Sequence, residues 1–156
     1  MLNRWQKFAQ LSWAERWLLI VACMMLLLTV VALRLVGFRR WHAVLARWRA
    51  TREPFPGRQA EILVEKACAT LQRATAVAAH GRHPANCLER SLVLWWLLRR
   101  LGIKGDLRIG IHKDTDRFEA HAWVEHGGVA LNEGDDVRQH FAVFDRAIVP
   151  RGRACR

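Results

Sequence analysis

"HPANCLERSLVLWWLLRRLG", residues 83–102, decides how the rest of the chain is organised. Asn86 is a favoured N-cap, because its short side chain offers an acceptor to an orphan N–H of the first turn. Gly102 follows "LLRRL" at the place where a left-handed residue ends a helix, with Arg99 and Arg100 in the last turn. A helix from Cys87 to about Leu101 is therefore predicted. Beyond it the period changes from helical to alternating. "GDLRIGIHK" (105–113) sets Leu107, Ile109 and Ile111 against Arg108, Gly110 and His112, as in a half-buried strand. "RFEAHAWVEHGGVALNE" (117–133) reads as two strands joined at Gly127-Gly128, and "FAVFDRAIVP" (141–150) offers a last strand. Upstream, residues 58–79 carry apolar side chains at 62, 63, 67, 71, 74, 77 and 78, a helical spacing, with Cys68 beside the stripe as a small packing residue. Two helices followed by antiparallel strands define an α+β domain.

The chain has 156 residues, enough for one domain with a substantial core, and its 52% hydrophobic composition is that of a folded protein. Cys23, Cys68, Cys87 and Cys155 show no CxxC pair and no regular spacing, which argues against a disulfide framework and for a reducing compartment. The net charge of +11 is unevenly placed. Residues 1–58 hold ten of the 25 basic residues but only two of the 14 acids, Glu15 and Glu53. The excess flanks a hydrophobic run and accompanies no nucleic-acid-binding motif, so a membrane surface is the favoured anionic partner and nucleic acid is not expected.

That run is "WLLIVACMMLLLTVVAL" (17–33), continued after Arg34 by "LVGF". Its length approaches the ~20 residues that cross a bilayer, and the heavier basic flank follows it. Residues 17–37 are thus expected to form a membrane helix that leaves the folded part in the cytoplasm, at the inner face of the plasma membrane. The alternative is an all-round hydrophobic helix buried in the domain. "REPFPG" (52–57) reads as a break, separating an N-terminal segment (1–57) from the globular domain (58–156).

Cys87 is the residue with chemical promise. In the first turn of a helix, free N–H groups and the positive end of the macrodipole favour a thiolate, and thiols so placed titrate as low as ~3.5–7.5. A thiolate at neutral pH is a nucleophile when a base stands beside it. His121 is the candidate base, since it lies mid-strand between two alanines and shares a face with Glu119, Trp123 and Glu125. The hairpin register selects a third group that orients the imidazole. A two-residue Gly127-Gly128 turn pairs Trp123 with Asn132 and brings Asn132 to the histidine face. A three-residue loop with a bulge sets Glu133 opposite His121 instead. Amide and carboxylate both serve in cysteine–histidine sites. Glu133 is the preferred third member, Asn132 the alternate and Asp135 the next.

A competing arrangement is a metal site. His80, His83 and Cys87 follow an H-x2-H-x3-C spacing, but Gly81 and Pro84 make this a loop and no fourth ligand lies nearby. No metal or cofactor is expected.

"CLERSLVLWWLLRRLGIKGDLRIGI" (87–111) followed by "FEAHAWVEHGGVALNE" (118–133) resembles the stand-alone transglutaminase-like cysteine peptidases of lasso-peptide biosynthesis, related to the C-terminal domain of the microcin-processing protein. The N-terminal "LSWAERWLLI" and "RLVGFRRW" are similar to the leading helices of that version. The resemblance implies a papain-like core in which a cysteine-bearing helix packs on an antiparallel sheet. It also implies a triad of Cys87, His121 and Glu133, the last where the family typically has aspartate. It further implies cleavage of the leader from a ribosomally made precursor peptide. The expected partners are that precursor, a separate leader-binding protein and an ATP-using cyclase. The same fold hosts acyl transfer and non-catalytic peptide binding, which are the competing functions.

Overall fold

The computed structural model describes residues 12–48, 57–80, 84–112, 119–134 and 137–143. Helix α1 (Trp13–Leu35) opens with a capping box, in which the Ser12 hydroxyl accepts from the Glu15 N–H and the Glu15 carboxylate accepts from the Ser12 N–H. A bend at Val36 and Gly37, the latter at φ 77°, leads into α2 (Gly37–Arg47). Helix α3 (Arg58–His80) and helix α4 (Cys87–Arg100) follow. The sheet then forms from β1 (Asp106–His112), β2 (Ala120–His126) and the two-residue β3 (Val129–Ala130). A single turn, α5 (Val137–His140), precedes β4 (Phe141–Val143). The sheet order is β3-β2-β1-β4, and every neighbouring pair is antiparallel.

Helix α4 is the centre of the molecule, because Ser91 to Leu98 are all buried. A helix apolar all round is stable only when covered on every side. Here α1 and α3 cover one side, and the inner face of the sheet, with Leu107, Ala122 and Val124, covers the other. Its C-terminus ends in a Schellman turn: Gly102 at φ 77° lets the Ile103 N–H reach the Leu98 carbonyl at 2.8 Å and the Gly102 N–H reach Arg99 at 3.1 Å. The tryptophans of α4 also find partners. Trp95 donates to the Gly105 carbonyl at 3.1 Å, while the Arg99 and Arg100 guanidinium groups stack over Trp95 and Trp96.

The segment marked off in the sequence as residues 1–57 packs, over 13–47, into the same core as the 58–156 region. Leu19, Ala22, Met25, Leu26 and Ala32 of α1 and Trp41 and Leu45 of α2 join Ala67, Leu71 and the α4 residues in one cluster. The Trp41 indole donates to the buried Thr29 hydroxyl at 3.2 Å, tying α2 to α1. Arg39, Arg40 and Arg47, which read in the sequence as a basic flank, form the exposed side of an amphipathic helix, α2. Helix α1 is likewise neither fully covered nor fully free. Its inner stripe is core, and its outer stripe of Trp17, Ile20, Met24, Leu27, Val31 and Leu35 is exposed.

The hairpin turn is the two-residue form. Gly127 and Gly128 both have positive φ, at 58° and 87°, and His126 pairs with Val129. A type I′ turn requires both residues in that region, which glycine alone enters without strain.

Candidate active site

The start of α4 is built as its sequence predicts. Asn86 Oδ1 accepts the Glu89 N–H at 2.9 Å, and the Glu89 carboxylate accepts the Asn86 N–H at 2.9 Å. Those two bonds satisfy the outer pair of the four orphan donors of the first turn. By helix geometry the inner pair, the N–H groups of Cys87 and Leu88, has no intrahelical acceptor. Cys87 is therefore the first helical residue, half-buried, with its own backbone N–H directed out of the helix end.

One turn further on, two side chains join this helix to the strand and loop that carry the other candidates. The buried Ser91 hydroxyl donates to the Ala122 carbonyl at 2.8 Å, beside His121. Arg90 reaches Glu133 Oε1 at 3.3 Å. Cys87 and Ser91 stand four residues apart and so share a helical face, which the Ser91 hydrogen bond fixes to β2 at Ala122.

His121 lies at the start of β2, partly buried, with Nε2 3.2 Å from Glu133 Oε1. Its ring is held from the side by aromatic packing: Phe141 stacks on it at 5.0 Å between centroids with planes 28° apart, and Trp123 lies at 6.3 Å. Directly across the sheet stands Gly110, paired with His121 on one side and Val143 on the other. A methyl group at position 110 would lie 3.0 Å from both the Ala142 carbonyl and Trp123 Cη2, and 3.1 Å from Phe141 Cβ. Gly110 thus leaves the room that the aromatic wall beside His121 occupies.

The route by which Glu133 reaches His121 differs from simple alternation. The observed two-residue turn is the register that would place Asn132 on the histidine face. The backbone ladder, however, runs out after the Leu131 N–H bonds the Val124 carbonyl at 2.9 Å. The Asn132 side chain then takes over the ladder's role: its Oδ1 accepts the Val124 N–H at 2.9 Å, and its Nδ2 donates to Ser91 Oγ at 3.0 Å. Asn132 is thereby turned toward α4, and the bend at 131–133 delivers Glu133 to the imidazole. Of the two, Glu133 is the neighbour of Nε2, and Asn132 holds the bend. Asp135 lies outside the described residues.

Behind His121 on the same face is a buried charge cluster. Glu125, 3% exposed, accepts from Trp123 Nε1 at 2.9 Å, from Arg108 at 3.1 Å and from Arg138 at 2.8 Å. Burial pushes its carboxyl up, but the hydrogen bonds from Arg138 and Trp123 and the charges of Arg138 and Arg108 outweigh that and hold it below the usual carboxylate range. A cleft of about 410 Å³ opens beside the site, lined among others by Cys68, Leu71, Arg90, Asn132 and Glu133. Burial pushes the Cys68 thiol up, so it is a poorer nucleophile than an ordinary cysteine. Among the described residues no group of three His, Cys, Asp or Glu is placed to hold a metal ion; the His80 side chain and His83 lie outside them.

Arg90, Ser91, Gly110 and Phe141 were not singled out as site residues from the sequence. For Gly110 a signal existed, since an isolated glycine inside a strand marks a close approach. The other three act across elements, and nothing local distinguishes them.

The family profile described as "Transglutaminase-like superfamily" matches residues 25–146. The chain belongs to the transglutaminase-like superfamily, whose members are usually cysteine peptidases or acyl transferases. The match begins inside α1, in keeping with the packing of that helix into the common core. Comparison with curated proteins and with solved structures returns no match.

Proposed function

We propose that this chain is a cysteine peptidase that removes the leader from a ribosomally made precursor peptide, as the lasso-peptide leader peptidases that it resembles do. The observation that carries the chemistry is the 3.2 Å approach of Glu133 to His121 Nε2, on a strand pinned to the helix that begins at Cys87. With Nε2 facing the carboxylate, Nδ1 is the nitrogen left for the thiol, and Glu133 stabilises the imidazolium once it forms.

Cys87 gives its proton to His121 and attacks the carbonyl of the last leader residue. The resulting oxyanion lies where the N–H groups of Cys87 and Leu88 face out of the helix end and are candidate donors to it. Collapse of this adduct breaks the scissile C–N bond, and His121 returns the proton to the departing core amine. The leader is left as a thioester on Cys87. His121 then takes a proton from water as the water attacks, the C–S bond breaks, and the leader leaves as a carboxylate. No cofactor or metal enters this sequence. The freed core N-terminus is the substrate for an ATP-using cyclase, and a separate leader-binding protein presents the precursor. We place the enzyme at the inner face of the plasma membrane, anchored through α1.

The test is mass spectrometry of a precursor peptide incubated with the full chain and its leader-binding partner, wild type against Cys87→Ala. Leader and core fragments with wild type alone support the peptidase. Intact precursor with both, together with incorporation of an added primary amine by wild type, would make the chain an acyl transferase instead.

A further inference from the structure

The outer stripe of α1 is an unusual surface. Trp13, Trp17, Ile20, Met24, Leu27, Val31 and Leu35 recur at spacings of three and four and are 49–82% exposed. Leu28 broadens the stripe, and it is entirely apolar until Arg34. Between this helix and α3 runs an apolar groove of about 410 Å³, lined by Leu27, Val31, Ala74, Val77 and Ala85, with Arg34 on its rim. At the C-terminal end of α1 the exposed Arg39, Arg40 and Arg47 of α2 continue the positive charge, with Val36, Val44 and Trp48 exposed beside them. No acidic residue occurs between Glu15 and Glu53 to answer these arginines.

We propose that α1 lies in the plane of an anionic phospholipid surface, immersed along its outer stripe to headgroup depth, and does not cross the bilayer. This deepens the membrane anchorage proposed above and rests on it. The exposed apolar face of α1 lies opposite the face packed in the core, so lipid can meet the helix along that one side only, and the arginines at its C-terminal border sit where basic side chains meet anionic headgroups. Phosphate headgroups answer the positive charge of these arginines, whereas a second copy of the chain would bring the same arginines. Crossing is opposed by what α1 already holds. Leu26 and Thr29 are buried in the core, and Thr29 carries the Trp41 hydrogen bond. Helix α3, packed along α1, exposes Glu61, Glu65, Lys66 and Arg73, which a spanning α1 would draw toward the hydrocarbon. In the plane, these charges stay in water and the core stays intact. The groove also reaches Ala85, two residues before Cys87, so the docked surface and the nucleophile share one end of the molecule.

The test uses the full chain with vesicles of phosphatidylcholine and phosphatidylglycerol at 7:3, and with phosphatidylcholine alone. Spin labels at positions 17, 24 and 31 on the outer stripe report depth. The expected result is co-sedimentation with the anionic vesicles, weakened about tenfold or more by Arg39→Glu/Arg40→Glu and by added salt, with all three labels at one shallow depth. Leu27→Asp, on the exposed stripe, abolishes binding while leaving the melting temperature unchanged. Position 24 lying far deeper than 17 and 31 would overturn the in-plane geometry and leave the anchorage standing. No binding to either vesicle, with a concentration-dependent dimer that Leu27→Asp dissolves, would overturn both.

Discussion

Glu133 is shared: its Oε1 lies 3.2 Å from His121 Nε2 and 3.3 Å from Arg90 Nη2. The arginine comes from the turn of α4 that follows Cys87, so the carboxylate beside His121 is itself tied to the helix that begins at Cys87. Asn132, one residue earlier, ties the same bend to Ser91 of that helix. The two neighbours therefore have different tasks, and substitution separates them.

Glu133→Gln keeps the shape but removes the charge that stabilises a protonated His121. Its kcat is expected to fall by about 10²-fold or more with little change in stability. Asn132→Ala strands the Val124 N–H and loses the Ser91 contact, at a cost of about 1–3 kcal/mol in stability. Its activity falls through misplacement of Glu133. Denaturant melts alongside steady-state kinetics check both. A Glu133→Gln enzyme as fast as wild type would remove Glu133 from the mechanism.

Gly110→Ala places a methyl against the Ala142 carbonyl, Trp123 and Phe141 at 3.0–3.1 Å. Such overpacking costs about 1–3 kcal/mol and displaces Phe141 from the His121 ring. Lower melting temperature and reduced kcat are expected together. Phe141→Leu, which loses the stack without the clash, is expected to lower kcat while costing less stability.

His42 of α2 is 3% exposed, stacks on Phe38 at 5.6 Å, lies tilted against Trp95 at 4.6 Å, and leaves its Nε2 buried with no hydrogen-bond partner among the described residues. Burial, aided by the charge of Arg99, pushes its pKa below the ordinary value. The unfolded chain then takes up the proton first as pH falls. Stability from this site is complete above the unfolded value of about 6.5 and declines below it, toward the folded value. His42→Phe is expected to flatten that part of the stability profile and to match or exceed wild type near pH 5.5. Urea melts between pH 5 and 8 measure it.

Glu125 has the opposite charge type and loses stability by the same linkage. Its folded value is depressed, so its contribution is present above the unfolded value of about 4.3 and is lost as pH falls through the folded one. Glu125→Gln is expected to melt earlier at neutral pH and to show a shallower decline toward pH 3, by thermal denaturation.

The elements of this fold were legible where local chemistry acts alone. Asn86 and Gly102 bound α4 as caps do, and Gly127-Gly128 sets the hairpin, because each answers a backbone need within four residues. What escaped was decided across elements. Helix α2 is helical because Trp41, His42 and Leu45 meet α1 and α4, which no periodicity at residues 37–47 announces as clearly as the arginines announce a flank. Extrapolating the hairpin register beyond residue 130 fails because a side chain, that of Asn132, replaces the backbone in the ladder. The hydropathy of residues 17–33 is two stripes superposed, one for the core and one for the outside, and hydropathy alone does not separate them.

If Cys87 is a nucleophile activated by His121, as proposed, cysteine labelling reads that activation without a substrate. Native full-length protein is treated with iodoacetamide at pH 7, and peptide mass spectrometry follows the modification of Cys87 and Cys68 with time, in wild type and in His121→Ala. Cys87 is expected to be alkylated at least roughly tenfold faster than Cys68, and His121→Ala to remove most of that advantage. Equal rates at the two cysteines, or a fast Cys87 indifferent to the loss of His121, would contradict it.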